Sequence, residues 1–247
     1  MDRTTLLFVI AAALGGFIGG FLLANSLNRS EMNSLRSQAG SPAVSSSAST
    51  TVPSPDEATL SEGEIQAKIS EADKNAGDFA FQKNLGVSLY RYGAMKSDPK
   101  IITESARILT RANSLDPKDF DVLVSLGNAL FDIGFANKDL SSFQKARDNY
   151  SKALAIRPDD VDVRTDVGIS YLVQEPPEYA KAASELEAVS KAHPGHARSM
   201  QFLARAYLKQ GRVPDAERLL AEMKGLDPSS TAIEELAVQI SAAKNAK

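Results

Sequence analysis

Apolar positions follow two different patterns along this chain. From Thr4 to Leu27 no charged residue occurs, and Leu6-Leu7-Phe8-Val9-Ile10 leads through to Phe21-Leu22-Leu23-Ala24 almost without a polar break. Crossing a bilayer core takes roughly 20 apolar residues as helix, with every backbone group bonded inside the segment. After about Thr59 the apolar residues are instead spaced by three and four, the period of a helix with one buried face. Ile65, Ile69 and Ala72 share such a face, as do Leu85, Gly86 and Leu89, and then Ile108, Leu109 and Ala112. Between the two regimes, Ser37 to Pro55 carries no charge and almost no large apolar residue. It cannot bury enough surface to offset the entropy of ordering, so it reads as a tether stiffened by proline. The pattern predicts an anchor over residues 1–28, a Ser/Ala/Pro-rich flexible linker over 29–58 and an all-α domain over 59–247.

Punctuation within the helical region is regular. Pro117 stands ten residues before Gly127, Pro158 ten before Gly168, and Pro194 ten before Ala204. Ala76 holds the same place before Gly86. Proline stops one helix, and a small residue in the next lets the paired helix approach. Four two-helix units follow, over Phe79–Pro117, Phe120–Pro158, Val161–Pro194 and Ala197–Pro228. A helix near Ser61–Asn75 precedes them, and one over Ala232–Ala242 with a polar tail closes them. Ser61 with Glu64 predicts a capping box, and Asp78, Asp119 and Asp160 predict N-caps.

These positions resemble the tetratricopeptide repeat family, whose 34-residue helix-turn-helix unit has apolar, Gly/Ala, Tyr, Ala, aromatic, Ala and Pro positions. Leu203, Ala204, Tyr207, Ala216, Leu220, Met223 and Pro228 match without insertion. Leu123, Leu126, Gly127, Leu130, Ala146, Tyr150, Ala153 and Pro158 match with seven extra residues between the helices. The first unit has a similar insertion, Gly93 to Pro99, and the third has two extra residues near Glu175-Pro176-Pro177. The resemblance spans about Ser61 to Ala242. It implies a right-handed superhelical solenoid that stacks units to bury faces none can bury alone. The longer units are expected to extend helices or loops locally rather than break the stack.

In this family the first helix of each unit lines a groove for partner proteins or peptides. By position the groove residues are Lys83, Asn84, Val87 and Tyr90; Asp121, Val124, Asn128 and Phe131; Asp162, Thr165, Asp166 and Ile169; and Arg198, Gln201, Arg205 and Lys209. Asn128 stands where the family often bonds an extended peptide's backbone. The middle of this set is acidic and its C-terminal end basic. The Lys/Asn/Arg clamp that some relatives close on a terminal carboxylate fits at Lys83 but not at Val87, Asp162 or Asp166. The competing reading of the whole set is a solvated helix face.

Net charge is -3, with no clustered positive charge, which argues against a nucleic-acid partner. The chain has no Cys, hence no disulfide and no thiolate chemistry. The only histidines, His193 and His196, flank Pro-Gly at an inter-unit turn with no carboxylate close in sequence. No catalytic residue, metal ligand or cofactor is assigned. In the apolar stretch, Gly15 with Gly19 and Gly16 with Gly20 have the spacing that lets two membrane helices pair, as in a homodimer. The flanking charges are balanced, Arg3 and Asp2 against Arg29, Arg36 and Glu31. A short tail before a long polar domain favours a cytoplasmic N-terminus and an extracytoplasmic, periplasmic domain in a bacterial cell. The layout resembles membrane-tethered repeat proteins of envelope assembly, including those that present apocytochromes for haem attachment. A self-associating structural membrane protein is the alternative.

Overall fold

The structure is a computed structural model that describes residues 61–228 and 230–245. The expected anchor over 1–28, its glycines and the expected linker over 29–58 lie outside the described residues. Among the described residues no helix is long and apolar enough to cross a membrane. The chain divides between Leu115 and Asp116 into two compact units.

The first unit holds α1 (Glu62–Lys74), α2 (Phe79–Lys96) and α3 (Pro99–Leu115). α1 begins at the expected capping box. Ser61 Oγ accepts from the Glu64 amide at 3.3 Å, and Glu64 Oε2 accepts from the Ser61 amide at 2.8 Å. Asp78 caps α2 by accepting from the Phe81 amide. Ile65, Ile69 and Ala72 of α1 pack with Leu89 of α2 and Ile108 of α3. α2 and α3 meet at Gly86, where an added Cβ would lie 2.8 Å from Leu109. Ser105 Oγ donates to the Gly86 carbonyl there, at 2.9 Å. Arg107 and Arg111 of α3 both reach Asp73 of α1, at 2.6 and 2.9 Å.

The second unit holds α4 (Phe120–Asn137), α5 (Leu140–Ile156), α6 (Val161–Val173), α7 (Tyr179–Ala192), α8 (Ala197–Lys209), α9 (Val213–Leu226) and α10 (Thr231–Asn245). Asp119 and Asp160 cap α4 and α6. Gly127 lies against Tyr150 and Gly168 against Leu186, where a Cβ would stand 2.5 and 2.7 Å from the facing side chain. Ala204 is fully buried at the equivalent place. α10 packs against α8 and α9 through Ile233, Leu236 and Ile240.

The seven extra residues of the two long repeats are helix, not loop. α2 and α4 have 18 residues and α3 and α5 have 17, against 13 in α6 and α8 and 14 in α7 and α9. Each long pair turns over two residues, Ser97-Asp98 and Lys138-Asp139, the first of each in the left-handed region at φ 52° and 53°. Asp98 and Asp139 then cap the second helix through the amides of Lys100 and Ile101, and of Ser141 and Ser142. The added turns need a second close approach, supplied by Gly93 against Ile101 and Ile102 and by Gly134 against Phe143.

Candidate partner-binding face

The first helix of each repeat takes its place from the proline stop before it and the Asp cap at its start. In the first unit, α2 carries Lys83 and Val87 half-buried and Asn84 exposed, while Tyr90 is buried. In the second unit, α4 carries Asp121 exposed, Val124 and Asn128 half-buried, and Phe131 buried. Phe131 packs edge-on against Phe143, with ring centroids 5.3 Å apart. On α6, Asp162 is half-buried, and Thr165, Asp166 and Ile169 are buried. On α8, Arg198 and Arg205 are half-buried, Gln201 is buried and Lys209 is exposed.

Arg198 of α8 meets both acidic groups of the α6 set. Arg198 pairs with Asp166, which is only 4% exposed, and stands 4.0 Å from Asp162. His196 Nε2 lies 3.6 Å from the same Asp162 carboxylate. Its Nδ1 accepts from the Ser199 amide, so His196 caps α8 where Asp caps the other first helices. Arg205 stands 3.7 Å from Glu235 of α10 and 5.1 Å from the Phe202 ring. Burial lowers the Arg205 guanidinium pKa and raises that of the Glu235 carboxyl, since both charged forms lose water. The acidic middle and basic end expected from the sequence are thus joined by pairs between neighbouring helices.

Asn128 has a different setting. The Tyr150 hydroxyl of α5 donates to Asn128 Oδ1 at 2.8 Å. This bond uses the acceptor of the amide and fixes its plane. Two N–H donors then remain for a carbonyl, the group an extended peptide offers along its length.

Two polar joints brace this face. Arg147 of α5 is buried and donates to Ser170 and Gln174, at 3.1 and 2.9 Å, with its guanidinium 4.3 Å from the centre of the Tyr171 ring. The Tyr207 hydroxyl donates to Glu187 at 2.8 Å while Arg212 stacks 3.9 Å from the Tyr207 ring centre. Burial, then the bond to Glu187, pushes the Tyr207 pKa up to about 12. Position mapping missed these joints, because their partners lie 20 or more residues apart in the chain. The cap role of His196 was legible, since it occupies the place of Asp78, Asp119 and Asp160. Among the described residues no group of three His, Cys, Asp or Glu could hold a metal ion.

A family model described as tetratricopeptide repeat matches residues 178–240, which run from the start of α7 into α10. The fold is that of tetratricopeptide repeats. A tetratricopeptide repeat protein from Parabacteroides merdae is 17% identical, covering 74% of this chain and 66% of that one, with a TM-score of 0.56. The MamA protein is 20% identical, covering 68% and 82%, with a TM-score of 0.52. TTC0263, a thermophilic tetratricopeptide repeat protein from Thermus thermophilus, is 16% identical over 73% and 91%, with a TM-score of 0.51. No curated protein is similar in sequence.

Proposed function

We propose that this chain is a membrane-anchored scaffold whose tetratricopeptide repeats hold a partner protein by an extended peptide or helix. The observation that carries the reading is the Asn128 amide, fixed by Tyr150 and half-buried on a first-helix face. Tetratricopeptide repeats are protein-binding modules as a class. Asp162, Asp166, Arg198 and Arg205 on α6 and α8 have partners within the domain, which favours recognition of the partner's backbone over its charge. The N-terminal apolar stretch supports a membrane tether, and the short tail before a long polar domain favours repeats on the extracytoplasmic side of a bacterial envelope. The Ser/Pro tether gives the domain reach above the bilayer. Envelope protein assembly, cytochrome c biogenesis among its forms, suits that layout.

Capture from solubilised membranes tests the proposal. Asn128→Ala is expected to lose a partner that the wild type retains. Tyr150→Phe keeps the amide and should retain that partner with weakened affinity. An unchanged partner set for Asn128→Ala, with the domain still folded, overturns the groove. The second reading, a self-associating structural protein, rests on the Gly15–Gly20 spacing. It predicts self-association that Gly16→Ile with Gly19→Ile abolishes.

A further inference from the structure

The two ends of the helical array are complementary half-repeats. α1 stands where the second helix of a repeat belongs, with Ala76 in the place of the closing prolines Pro117, Pro158, Pro194 and Pro228. α10 stands where a first helix belongs, thirty-four residues after α8. A second copy could therefore join its α1 to the α10 of the first and complete a repeat between the chains. We infer that side chains at both ends are set to refuse that union.

Register identifies those side chains. Within each repeat, three positions of the second helix press against the first. They are Ser105, Leu109 and Ala112; Ala146, Tyr150 and Ala153; Ala182, Leu186 and Val189; and Ala216, Leu220 and Met223. All twelve are buried. In α1 the same positions are Glu64, Lys68 and Glu71, with Glu64 and Lys68 exposed and Glu71 half-buried. Lys68 and Glu71 bond each other at 2.9 Å, and Glu64 is committed to the capping box. Docking here would strip water from all three charged groups, the Lys68–Glu71 pair included, where the other repeats bury apolar or small side chains.

At the other end, the small-residue position reads Gly86, Gly127, Gly168 and Ala204 in the four repeats, then Val238 in α10. The first four are buried, whereas Val238 is 69% exposed. A lone Cβ at the three glycines would already crowd the facing helix to 2.5–2.8 Å. Valine adds two methyls beyond its Cβ, so a helix cannot seat at that distance. Glu234 and Ser241 stand where α8 has the buried Met200 and Tyr207. Thus α1 carries charge where the joint needs apolar surface, and α10 carries bulk where it needs a gap.

Copying the α8–α9 joint onto the two ends tests this. One variant carries Glu64→Ala, Lys68→Leu and Glu71→Met, the other Glu234→Met, Val238→Ala and Ser241→Tyr. Both are made in the full chain in detergent, with Gly16→Ile and Gly19→Ile to remove pairing by the membrane segment. Sedimentation is expected to show each variant alone at the mass of the parent. Their equimolar mixture should form a complex of two chains and nothing larger. A chain carrying both sets should grow with concentration into a ladder of assemblies. An unchanged mass for both the mixture and the double variant, with circular dichroism showing folded protein, overturns the inference. Should the α1 variant fail to fold, a peptide of residues 213–228 replaces it as the incoming helix. That peptide should bind the α10 variant at least tenfold more tightly than the parent, and equal affinity overturns the inference.

Discussion

At Gly127 the backbone of α4 runs so close to α5 that a Cβ would stand 2.5 Å from Tyr150 Cε1. The ring cannot swing away cheaply, because Tyr150 is buried and its hydroxyl is held by Asn128. Gly225 gives the opposite case, in a helix with nothing within 4 Å of the site. Gly127→Ala is therefore expected to lower stability by about 1–3 kcal/mol through overpacking. Gly225→Ala should raise it by about 0.5–1 kcal/mol through helix propensity. Urea unfolding of the two variants measures both signs in one protein. Equal shifts in the same direction would show that close approach is not what selects glycine at Gly127. The same bond holds Tyr150 against the glycine and orients the Asn128 amide on which the proposed function rests.

Among the elements, the long helix pairs carry the clearest local strain. Lys138 ends α4 at φ 53°, a conformation that costs a side-chain-bearing residue about 1 kcal/mol. Lys138→Gly should recover about that amount, and Lys138→Ala should not, since alanine keeps the Cβ. Thermal unfolding of the pair separates relief of strain from loss of the lysine charge. This turn also shows where the sequence could be read and where it could not. The step from proline to small residue placed every helix pair, and Asp78, Asp119 and Asp160 gave the starts of α2, α4 and α6, because caps act over three residues. The extra seven residues are expected from sequence to lengthen helices or loops, and the sequence leaves open which of the two. Helix propensity is weak beside tertiary contact, and Ile102 and Phe143 packed on those glycines hold the added turns in place. Which residues lie on the first helices was legible by position, but their exposure was not. Asp166 and Gln201 fall on the expected positions and are nonetheless buried, since side chains of neighbouring helices cover them. The pairs Asp166–Arg198 and Arg205–Glu235 join residues about thirty apart, beyond any local pattern.

For the molecule as a whole, an array of repeats has stability built from neighbour joints, so its last helix protects more than itself. α10 buries Ile233, Leu236 and Ile240 against α8 and α9, and brings Glu235 to Arg205 and Lys244 to Glu217. The exposed Lys244–Glu217 pair contributes about 0–1 kcal/mol, and the loss of water by Arg205 and Glu235 offsets their attraction. The three apolar side chains contribute about 1.5–3 kcal/mol apiece, so they carry the joint. Leu236 is 1% exposed, and Leu236→Ala is expected to cost about 2–5 kcal/mol. Lys244→Ala should stay within about 0.5 kcal/mol of the wild type. If α10 served only to solubilise the end, Leu236→Ala would detach it without disturbing α8 or α9. If it is part of the array, the loss passes to the α8–α9 pair. Hydrogen exchange decides between these outcomes. The array reading requires amides of α8 and α9 to lose protection in Leu236→Ala along with those of α10, while the amides of α4 and α5 keep theirs. Faster exchange confined to residues 231–245 would make α10 a detachable cover, and the stability of the face bearing Arg198 and Arg205 would then have to come from α7 and α9.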